Sequence, residues 1–254
     1  MKALIMAAGY ATRLYPLTKD RAKPLLPIAG KPMIDYITDA LDAVREIDRI
    51  YVVTNSRFSA SFREWAGARR NVIRTPIEVI DDGTVSDDDK LGAIGDIRFV
   101  LDRERVDDDL LVVLGDNLFD LDLKDIVTFF REKGATVAAY DVRDREAAKL
   151  YGILAVDKNS RVVDFKEKPA DPPSTLAAIG MYLFPREKLK LFRVYAEEGN
   201  KMDAPGYYIR WLYQREAVYA YVFSGVWYDI GDLEMYRRAD ARYAARGPEA
   251  KHRN

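Results

Sequence analysis

MKALIMAAGYATRLYPLTKDRAKPLLPIAGKPMIDY, residues 1–36, is the stretch from which the architecture of this chain can be read. Lys2 to Ala7 form a short apolar run with the length of a buried strand, and the run stops at Gly9. The loop that follows is basic and holds four cations: Arg13, Lys19, Arg21 and Lys23. A strand that leads into a small-residue turn with fixed cations can bind a polyphosphate. An ordinary strand–loop–helix connection with a solvated basic loop is the alternative.

The composition allows a sizeable core and excludes several kinds of chemistry. The 254 residues, 48% hydrophobic and 32% charged, suffice for one large α/β domain or two small ones. The net charge of −1 argues against a non-specific binder of nucleic acid or anionic membrane. Because cysteine is absent and the single histidine, His252, lies in a charged tail, thiol, Ser–His and His–metal mechanisms are excluded.

Apolar spacing after the basic loop predicts alternating helices and strands. Residues 33–47 carry apolar side chains at steps of three and four, which is the period of a helix with one buried face. Residues 50–54 and 77–80 are predicted strands, and residues 59–70 are a predicted helix between them. This alternation is typical of a parallel sheet with right-handed crossovers.

Residues 7–36 also resemble a family signature. AAGYATRLYPLTKDRAKPLLPIAGKPMIDY is similar to the AAG-x-G-T-R-L-x-P-L-T…K-P-x-L-P-V…K-P-M-I pattern of sugar-1-phosphate nucleotidylyltransferases, such as glucose-1-phosphate thymidylyltransferases and uridylyltransferases. The resemblance implies an α/β fold with a Rossmann-like, mixed, mainly parallel sheet flanked by helices, and a small antiparallel sugar-binding lobe. Ala11 stands where the family mostly has Gly. A methyl group there should either narrow the approach of the loop to a phosphate or require a negative φ.

The resemblance implies a nucleotide site built mainly from this loop. Its expected members, including two from later segments, are Ala8, Gly9, Ala11, Thr12, Arg13, Lys23, Gly92 and Asp116. Gly92 belongs to LGAIGDI, which resembles the family's L-G-T-A-G-A-L segment and opens a helix predicted to run to about Arg103. The preceding loop has five Asp among residues 81–89, and a solvated acidic loop is the simplest interpretation. Thr84 or Asp87 could reach the edge of the base.

Two separate motifs predict a metal site. LLVVLGDN at residues 110–117 is a predicted strand that ends at Asp116, and ligands of open α/β sheets gather at such ends. A cap of a helix or turn is the alternative for this Asp. In the resembled family the same motif binds magnesium. Asp229 in GVWYDIGD matches the family's W-x-D-x-G-T and would be the second Mg²⁺ ligand, while Asp232 is a candidate cap for the last helix.

The second half of the chain predicts a sugar site. Residues 151–156, 161–165 and 176–184 are predicted strands joined by turns, as in an antiparallel lobe. The segment FKEKP resembles the family's E-K-P motif, in which Glu contacts sugar hydroxyls and Lys holds the sugar phosphate. The expected sugar-phosphate contacts are Asn117, Gly152, Glu167, Lys168 and Tyr182. For Tyr182, a place in the core is the alternative.

The implied reaction joins an NTP, with UTP or dTTP favoured, to a sugar-1-phosphate and releases pyrophosphate. Since a phosphate oxygen is already a nucleophile at neutral pH, positioning and charge neutralisation would supply most of the catalysis. The expected catalytic residues are Arg13 on the leaving phosphates, Lys23 on the α-phosphate and Lys168 on the sugar phosphate.

Three alternatives stay open at this point. A cytidylyltransferase acting on phosphocholine or another non-sugar phosphate shares the N-terminal signature. A non-catalytic nucleotide-binding regulatory module would keep the fold without the chemistry. A dinucleotide-dependent dehydrogenase is disfavoured because G-x-G-x-x-G is absent after the first strand.

The expected organisation is one nucleotidyltransferase domain over residues 1–246, followed by a frayed tail at 247–254. Residues 1–142 would bind mainly the nucleotide, and residues 143–246 would bind mainly the sugar and supply the second metal ligand. We expect the catalytic domain alone, without the acyltransferase domain that often follows it. The sequence also predicts a cytoplasmic protein without a signal peptide or a membrane span of ~20 apolar residues. It leaves a homo-oligomer open.

Overall fold

The computed structural model describes residues 1–245. The predicted tail at 247–254, with His252, lies outside the described residues. The described strands are β1 (Lys2–Met6), β2 (Pro27–Ile28), β3 (Lys31–Pro32), β4 (Arg49–Thr54), β5 (Ile77–Asp81), β6 (Leu110–Leu114), β7 (Asn117–Phe119), β8 (Thr136–Asp141), β9 (Gly152–Val156), β10 (Val162–Glu167), β11 (Leu176–Phe184), β12 (Tyr219–Phe223) and β13 (Trp227–Asp229). The α-helices are α1 (Met33–Asp42), α2 (Ser59–Arg69), α3 (Ala93–Arg103), α4 (Leu123–Lys133), α5 (Arg145–Ala148), α6 (Leu191–Glu197), α7 (Pro205–Leu212) and α8 (Leu233–Ala245).

A nine-stranded mixed sheet forms the centre of the protein, as the sequence predicted. Its main path runs β10-β9-β11-β6-β1-β4-β5, with β8 pairing to β11 and β12 pairing to β8. β1 is parallel to β4 and β6, and β4 is parallel to β5. The antiparallel strands of the second half do not form a separate sheet, because β11 joins them to β6.

Helices cover both faces of this sheet. One core cluster contains Ile5 and Val52 with the buried faces of α1, α2 and α4. The other contains Leu4 and Val53 with the buried faces of α3, α6 and α7. Alternate residues of β1 therefore belong to opposite cores, which explains why KALIM is an unbroken apolar run after Lys2.

The strand order reverses at β1. The chain leaves β1 through α1 to reach β4 on one side, and later leaves β5 through α3 to reach β6 on the other side. Because these two helices lie on opposite faces, a crevice opens at the carboxyl ends of β1 and β6. Gly115 N donates to the carbonyl of Met6 across this end at 2.9 Å, which fixes the two loops relative to each other.

The last helix packs against the basic loop rather than against the main sheet. A third apolar cluster joins Leu14 and Ile28 of the N-terminal segment to Ile230 and Ala239. The Tyr236 hydroxyl donates to the carbonyl of Pro27 at 2.6 Å, which fixes α8 to the β2–β3 hairpin. This packing holds the basic loop and the segment around β13 in one block.

Most predicted elements are present, with shifted ends. The strand predicted over 110–117 ends at Leu114. Asp232 caps α8 as predicted, since its Oδ1 accepts from Met235 N at 2.8 Å. The short pairs β2–β3 and β7–β13 were not predicted, because neither has the length of an ordinary strand. Within residues 1–245, every helix is too short or too polar to span a lipid bilayer.

Candidate active site

The two aspartates predicted to bind metal come from segments more than one hundred residues apart, and a small antiparallel ladder brings these segments together. β13 pairs with β7 so that Asp229 lies opposite Asn117, the neighbour of Asp116. Ile230 N also donates to the carbonyl of Asp116 at 3.1 Å. The pairing therefore sets both aspartates at the crevice edge next to β6.

The predicted charged residues lie close enough to Asp229 to change the pKa of its carboxyl group. Burial raises the pKa of Asp229, and the nearby charge of Asp116 raises it further. Lys23, Lys168 and Arg13 oppose this rise in that order. The two carboxyl groups repel each other, and three cations surround them. Such a group favours a further positive charge between the carboxylates.

Lys23 makes the direct contact in this group. Its Nζ lies 2.7 Å from Asp116 Oδ2, and its side chain is only 12% exposed. A short 3₁₀ turn, Lys23–Leu25, holds the residue, and Pro24 in that turn fixes the backbone after it. The ammonium group is therefore fixed at the crevice rather than free on the surface.

The turn after β1 corrects one expectation about Ala11. Its φ is +48°, so the methyl group does not impose a negative φ, and the residue adopts the left-handed conformation that Gly would adopt. The Thr18 hydroxyl donates to the Ala11 carbonyl at 2.7 Å, and Leu14 N donates to the same oxygen at 3.1 Å. These bonds help to hold a backbone conformation that is unfavourable for alanine by itself.

A cleft of about 430 Å³ begins at this turn. Six of the eight predicted nucleotide residues line it: Ala8, Gly9, Ala11, Lys23, Gly92 and Asp116. The other two, Thr12 and Arg13, are exposed on the 3₁₀ turn beside it. Pro205, at the start of α7, lines the cleft together with Asp203, so the second half of the chain contributes to its wall.

The predicted sugar residues form a second group next to the charged one. Glu167 lies against two glycines: a Cβ on Gly152 would be 3.0 Å from its Oε2, and a Cβ on Gly206 would be 2.0 Å from it. Burial raises the pKa of Glu167, and Lys168 opposes the rise. Lys168 has a φ of +45°, an unusual backbone conformation that turns the chain at the end of β10.

Two of the predicted sugar residues are buried. Tyr182 is 4% exposed and stacks on Phe184, while burial and the charge of Glu167 raise its pKa. Asn117 is 2% exposed, and its Oδ1 accepts from Trp227 Nε1 at 2.8 Å. Both side chains therefore pack against other protein groups beneath the surface of the site.

The sequence analysis missed acidic residues in the cleft wall. Asp82 and Asp96 line the cleft and are only 8% and 6% exposed, although the loop at 81–89 was interpreted as solvated. Asp87 also lines the cleft and pairs with Lys90 at 3.1 Å, whereas Thr84 is buried behind it. An Asp inside the apolar period of a helix, as at position 96, was the one available signal.

The protein supplies only some of the ligands that a hard divalent cation needs. Between residues 1 and 245, no three His, Cys, Asp or Glu side chains come together as a metal-binding group. The carboxylates of Asp116 and Asp229 are the oxygen ligands that Mg²⁺ prefers, and Mg²⁺ commonly takes its remaining ligands from water and substrate phosphates. The arrangement therefore suits a cation that arrives with a nucleotide.

Several solved structures are similar to this chain over nearly its whole length. The structure of UDP-glucose pyrophosphorylase complexed with UDP-glucose is similar at 26% identity and a TM-score of 0.80, covering 96% of this chain and 98% of that one. A candidate glucose-1-phosphate thymidylyltransferase from Bacillus anthracis, in complex with sucrose, is similar at 26% identity and a TM-score of 0.75, covering 96% and 95%. Apo UDP-glucose pyrophosphorylase shares the fold at 24% identity and a TM-score of 0.82, over 96% and 98% of the two chains.

The sequence also matches a family model over nearly its whole length. The model described as Nucleotidyl transferase covers residues 2–246. Together with the similar structures, this match identifies the protein as an enzyme, a nucleotidyltransferase. The chain belongs to the nucleotidyl transferase family.

Proposed function

We propose that the enzyme makes an NDP-sugar and pyrophosphate from an NTP and a sugar-1-phosphate, in a reaction that depends on Mg²⁺. The observation that carries this proposal is the meeting of Asp116 and Asp229 next to Lys23, with Lys168 close enough to lower the pKa of both Asp229 and Glu167. One end of the cleft thus suits a polyphosphate, and the adjoining group suits a phosphorylated sugar.

The chemistry requires no general base from the protein. An oxygen of the sugar phosphate forms a bond to the α-phosphorus, and the bond from that phosphorus to the bridging oxygen breaks. Pyrophosphate leaves with the electron pair. Because both reactants are anions, the main barrier is electrostatic, and oriented cations lower it.

Each cation has a place in this scheme. Lys23, fixed in the 3₁₀ turn, would hold the α-phosphate at the point of attack. Arg13, exposed beside the cleft, would neutralise the leaving phosphates. Lys168 would orient the sugar phosphate from the end of β10. Asp116 and Asp229 would hold the Mg²⁺, which when bound supplies charge neutralisation for the phosphate oxygens.

The sugar would lie against Glu167. Its carboxyl group is partly desolvated. Because Gly152 and Gly206 have no side chain, they leave the space that this carboxyl group occupies. A carboxylate in such a place accepts hydrogen bonds from neighbouring hydroxyl groups, which are the groups that a sugar offers. Residues 143–245 would therefore supply most of the sugar site and the second metal ligand, and residues 1–142 most of the nucleotide site.

UTP and dTTP are the favoured nucleotides. In support, the two similar proteins at 26% identity are named as a thymidylyltransferase and a UDP-glucose pyrophosphorylase. A matrix of UTP, dTTP, CTP, GTP and ATP against common sugar-1-phosphates and phosphocholine, scored by pyrophosphate release with Mg²⁺ or EDTA, tests the proposal. We expect EDTA-sensitive release with UTP or dTTP and at least one hexose-1-phosphate. Release with phosphocholine alone, or no release with any pair, would contradict it.

A further inference from the structure

The last residue of β4 and the residue after it hold the first peptide groups of the turn after β1. The Asn55 side chain donates from Nδ2 to the carbonyl of Ala8 at 2.8 Å. The Thr54 hydroxyl donates to the carbonyl of Ala7 at 3.3 Å. Thr54 and Asn55 are both 0% exposed, and neither lines the cleft. These bonds therefore act on the turn from the side of the sheet.

The direction of these two bonds fixes the direction of two backbone N–H groups. In a trans peptide, the N–H group of one residue points opposite to the carbonyl of the residue before it. Because the Ala8 carbonyl points to Asn55, the N–H group of Gly9 points away from β4. Thr54 turns the N–H group of Ala8 in the same way. Ala8 and Gly9 both line the cleft, so the two N–H groups are turned towards it.

Neither N–H group is used by the protein. Among residues 1–245, Ala8 N and Gly9 N donate to no protein group, whereas Ala7 N donates to the carbonyl of Val53 at 2.8 Å. The cleft side of the turn is also open, because a Cβ on Gly9 would meet no heavy atom within 4 Å. Adjacent backbone N–H groups that point in one direction bind the oxygen atoms of a ligand.

Further contacts keep the turn in this orientation. Tyr10 is 6% exposed, and its hydroxyl lies 3.4 Å from Thr84 Oγ1. Ser56 N donates to the carbonyl of Thr84 at 2.9 Å, which joins the same segment to the residue after Asn55. The turn is therefore held on both sides of Gly9. A ligand meets N–H groups that are already oriented, which lowers the entropic cost of binding.

A second contact of Asn55 fixes which way its amide is turned. Its Oδ1 accepts from Phe58 N at 3.2 Å, in the turn that leads into α2. The reverse orientation would place Oδ1 against the carbonyl of Ala8, where two acceptors would repel each other. An ionised carboxylate at this position could still accept from Phe58 N, but it has no donor for Ala8. The two contacts of the side chain can therefore be separated by substitution.

On the basis of the proposed function, we propose that Asn55, assisted by Thr54, is a positioning residue of the active site. It turns the N–H groups of Ala8 and Gly9 into the cleft, where they donate to oxygen atoms in the ribose–phosphate part of the bound NTP. Phosphate oxygens and ribose hydroxyls both accept such bonds. Because every NTP carries these oxygens, the role does not depend on the base.

Equilibrium binding of UTP without a sugar phosphate tests the inference. We expect Asn55→Asp to weaken UTP binding about tenfold or more at about pH 8, because the ionised side chain repels the carbonyl of Ala8 and no longer holds its peptide group. Thr54→Val keeps the shape of the side chain and removes only the hydroxyl. Because the bond from Thr54 is the longer of the two, this variant should weaken UTP binding about threefold.

Two matched controls change the same groups elsewhere. Asn159→Asp adds the same charge at an exposed turn. Thr128→Val removes a hydroxyl that donates to the carbonyl of Lys124 at an exposed position of α4. Both variants should bind UTP as the wild type does.

Acidification supplies a readout that a purely structural role would not change. A protonated carboxyl group has an O–H donor, so the protonated form of Asn55→Asp can again donate to the carbonyl of Ala8. Burial raises the pKa of a carboxyl group, which brings this protonation closer to the pH of the assay. We expect the loss of affinity relative to the wild type to shrink as the pH falls from about 8 to about 5. The nearby acids Asp81 and Asp82 are common to both proteins, so the ratio removes their titration.

Dideoxy-UTP, which lacks both ribose hydroxyls, identifies the acceptor. If Asn55→Asp weakens the binding of this analogue as much as that of UTP, the N–H groups donate to phosphate oxygens. If the loss disappears with the analogue, they donate to ribose hydroxyls.

Unchanged UTP affinity in Asn55→Asp would overturn the inference, as would a loss that stays the same from about pH 8 to about pH 5. If this variant does not fold, Thr54→Val and the wild type decide. In the wild type, the amide proton signals of Ala8 and Gly9 should shift downfield when UTP is added. Unmoved signals, or unchanged UTP affinity in Thr54→Val, would then contradict the proposal.

Pyrophosphate release measured on the same samples separates this inference from the proposed function. An active wild-type enzyme whose Asn55→Asp variant keeps its UTP affinity retains the function and loses the inference. UTP binding that requires Asn55, without turnover on any sugar-1-phosphate, retains the inference about the turn and loses the function.

Discussion

Asp229 lies opposite Asn117 across the antiparallel pair of β13 and β7, and this register places it beside Asp116. The Trp227 indole donates to Asn117 Oδ1 at 2.8 Å, so the same ladder is also held by a side-chain bond. The candidate active site therefore depends on a pair of three-residue strands more than one hundred residues apart in the chain.

We expect Asp116→Asn and Asp229→Asn each to lower kcat by about 10² to 10³, because each removes a carboxylate ligand of the Mg²⁺ that would neutralise the reacting phosphates. Pyrophosphate release under saturating Mg²⁺ and substrates measures the loss, and circular dichroism checks the fold. Asp171→Asn is the matched control, since Asp171 is 96% exposed and its ion pair with Arg145 contributes little. Near-normal Mg²⁺-dependent turnover in either variant would remove that residue from the metal site.

Lys23 and Lys19 lie in the same loop, but only Lys23 contacts Asp116. We expect Lys23→Met to lower kcat by about 10² or more, whereas Lys19→Met, at an exposed position, should change kcat less than threefold. The methionine keeps the length of the side chain, so the comparison isolates the charge. Similar losses in the two variants would show that the loop contributes only a general positive potential.

Glu167 allows a steric test of the sugar site. A Cβ at position 206 would lie 2.0 Å from Glu167 Oε2, so Gly206→Ala must displace the carboxyl group. We expect the KM for the sugar-1-phosphate to rise about tenfold, with the KM for the NTP nearly unchanged. Gly67→Ala is the control, because Gly67 is also helical but nothing lies within 4 Å of its Cβ position. An equal rise in both KM values would place Glu167 outside the sugar site.

The sequence predicted the local elements well because they rest on local patterns. The apolar run of β1 and the period of α1 report burial on one or both faces, and both are present in the structure. Gly134 directly follows α4 with a φ of +90°, a backbone conformation that glycine adopts without steric cost at the end of a helix. Such signals need no knowledge of the rest of the chain.

The arrangement of the site was less predictable, because non-local contacts create it. The resemblance to a family paired Asp116 with Asp229, but the residues alone do not show that β7 and β13 form a ladder. The acidic loop at residues 81–89 was interpreted as solvated for a related reason. Its composition is that of a solvated segment, yet Asp82 is buried because Thr84 satisfies its carboxylate and Asp96 faces it.

Burial of Asp96 next to Asp82 also makes the free energy of unfolding depend on pH. Burial and Asp82 raise the pKa of Asp96 to about 8, so the folded protein keeps a proton that the unfolded chain releases near its ordinary pKa of about 4. The stability from this proton is complete below the unfolded value. It is lost progressively as the pH rises from about 4 to about 8.

We therefore expect Asp96→Asn, which has no such proton to lose, to gain stability relative to the wild type as the pH rises. The difference in the free energy of unfolding should grow by about 1.4 kcal/mol per pH unit between pH 5 and pH 8 and then level off. Urea denaturation at pH 5, 7 and 9 measures it, and Asp88→Asn, at an exposed position, should show no such trend. Parallel curves for Asp96→Asn and the wild type would mean that Asp96 in the folded protein loses its proton near its ordinary pKa.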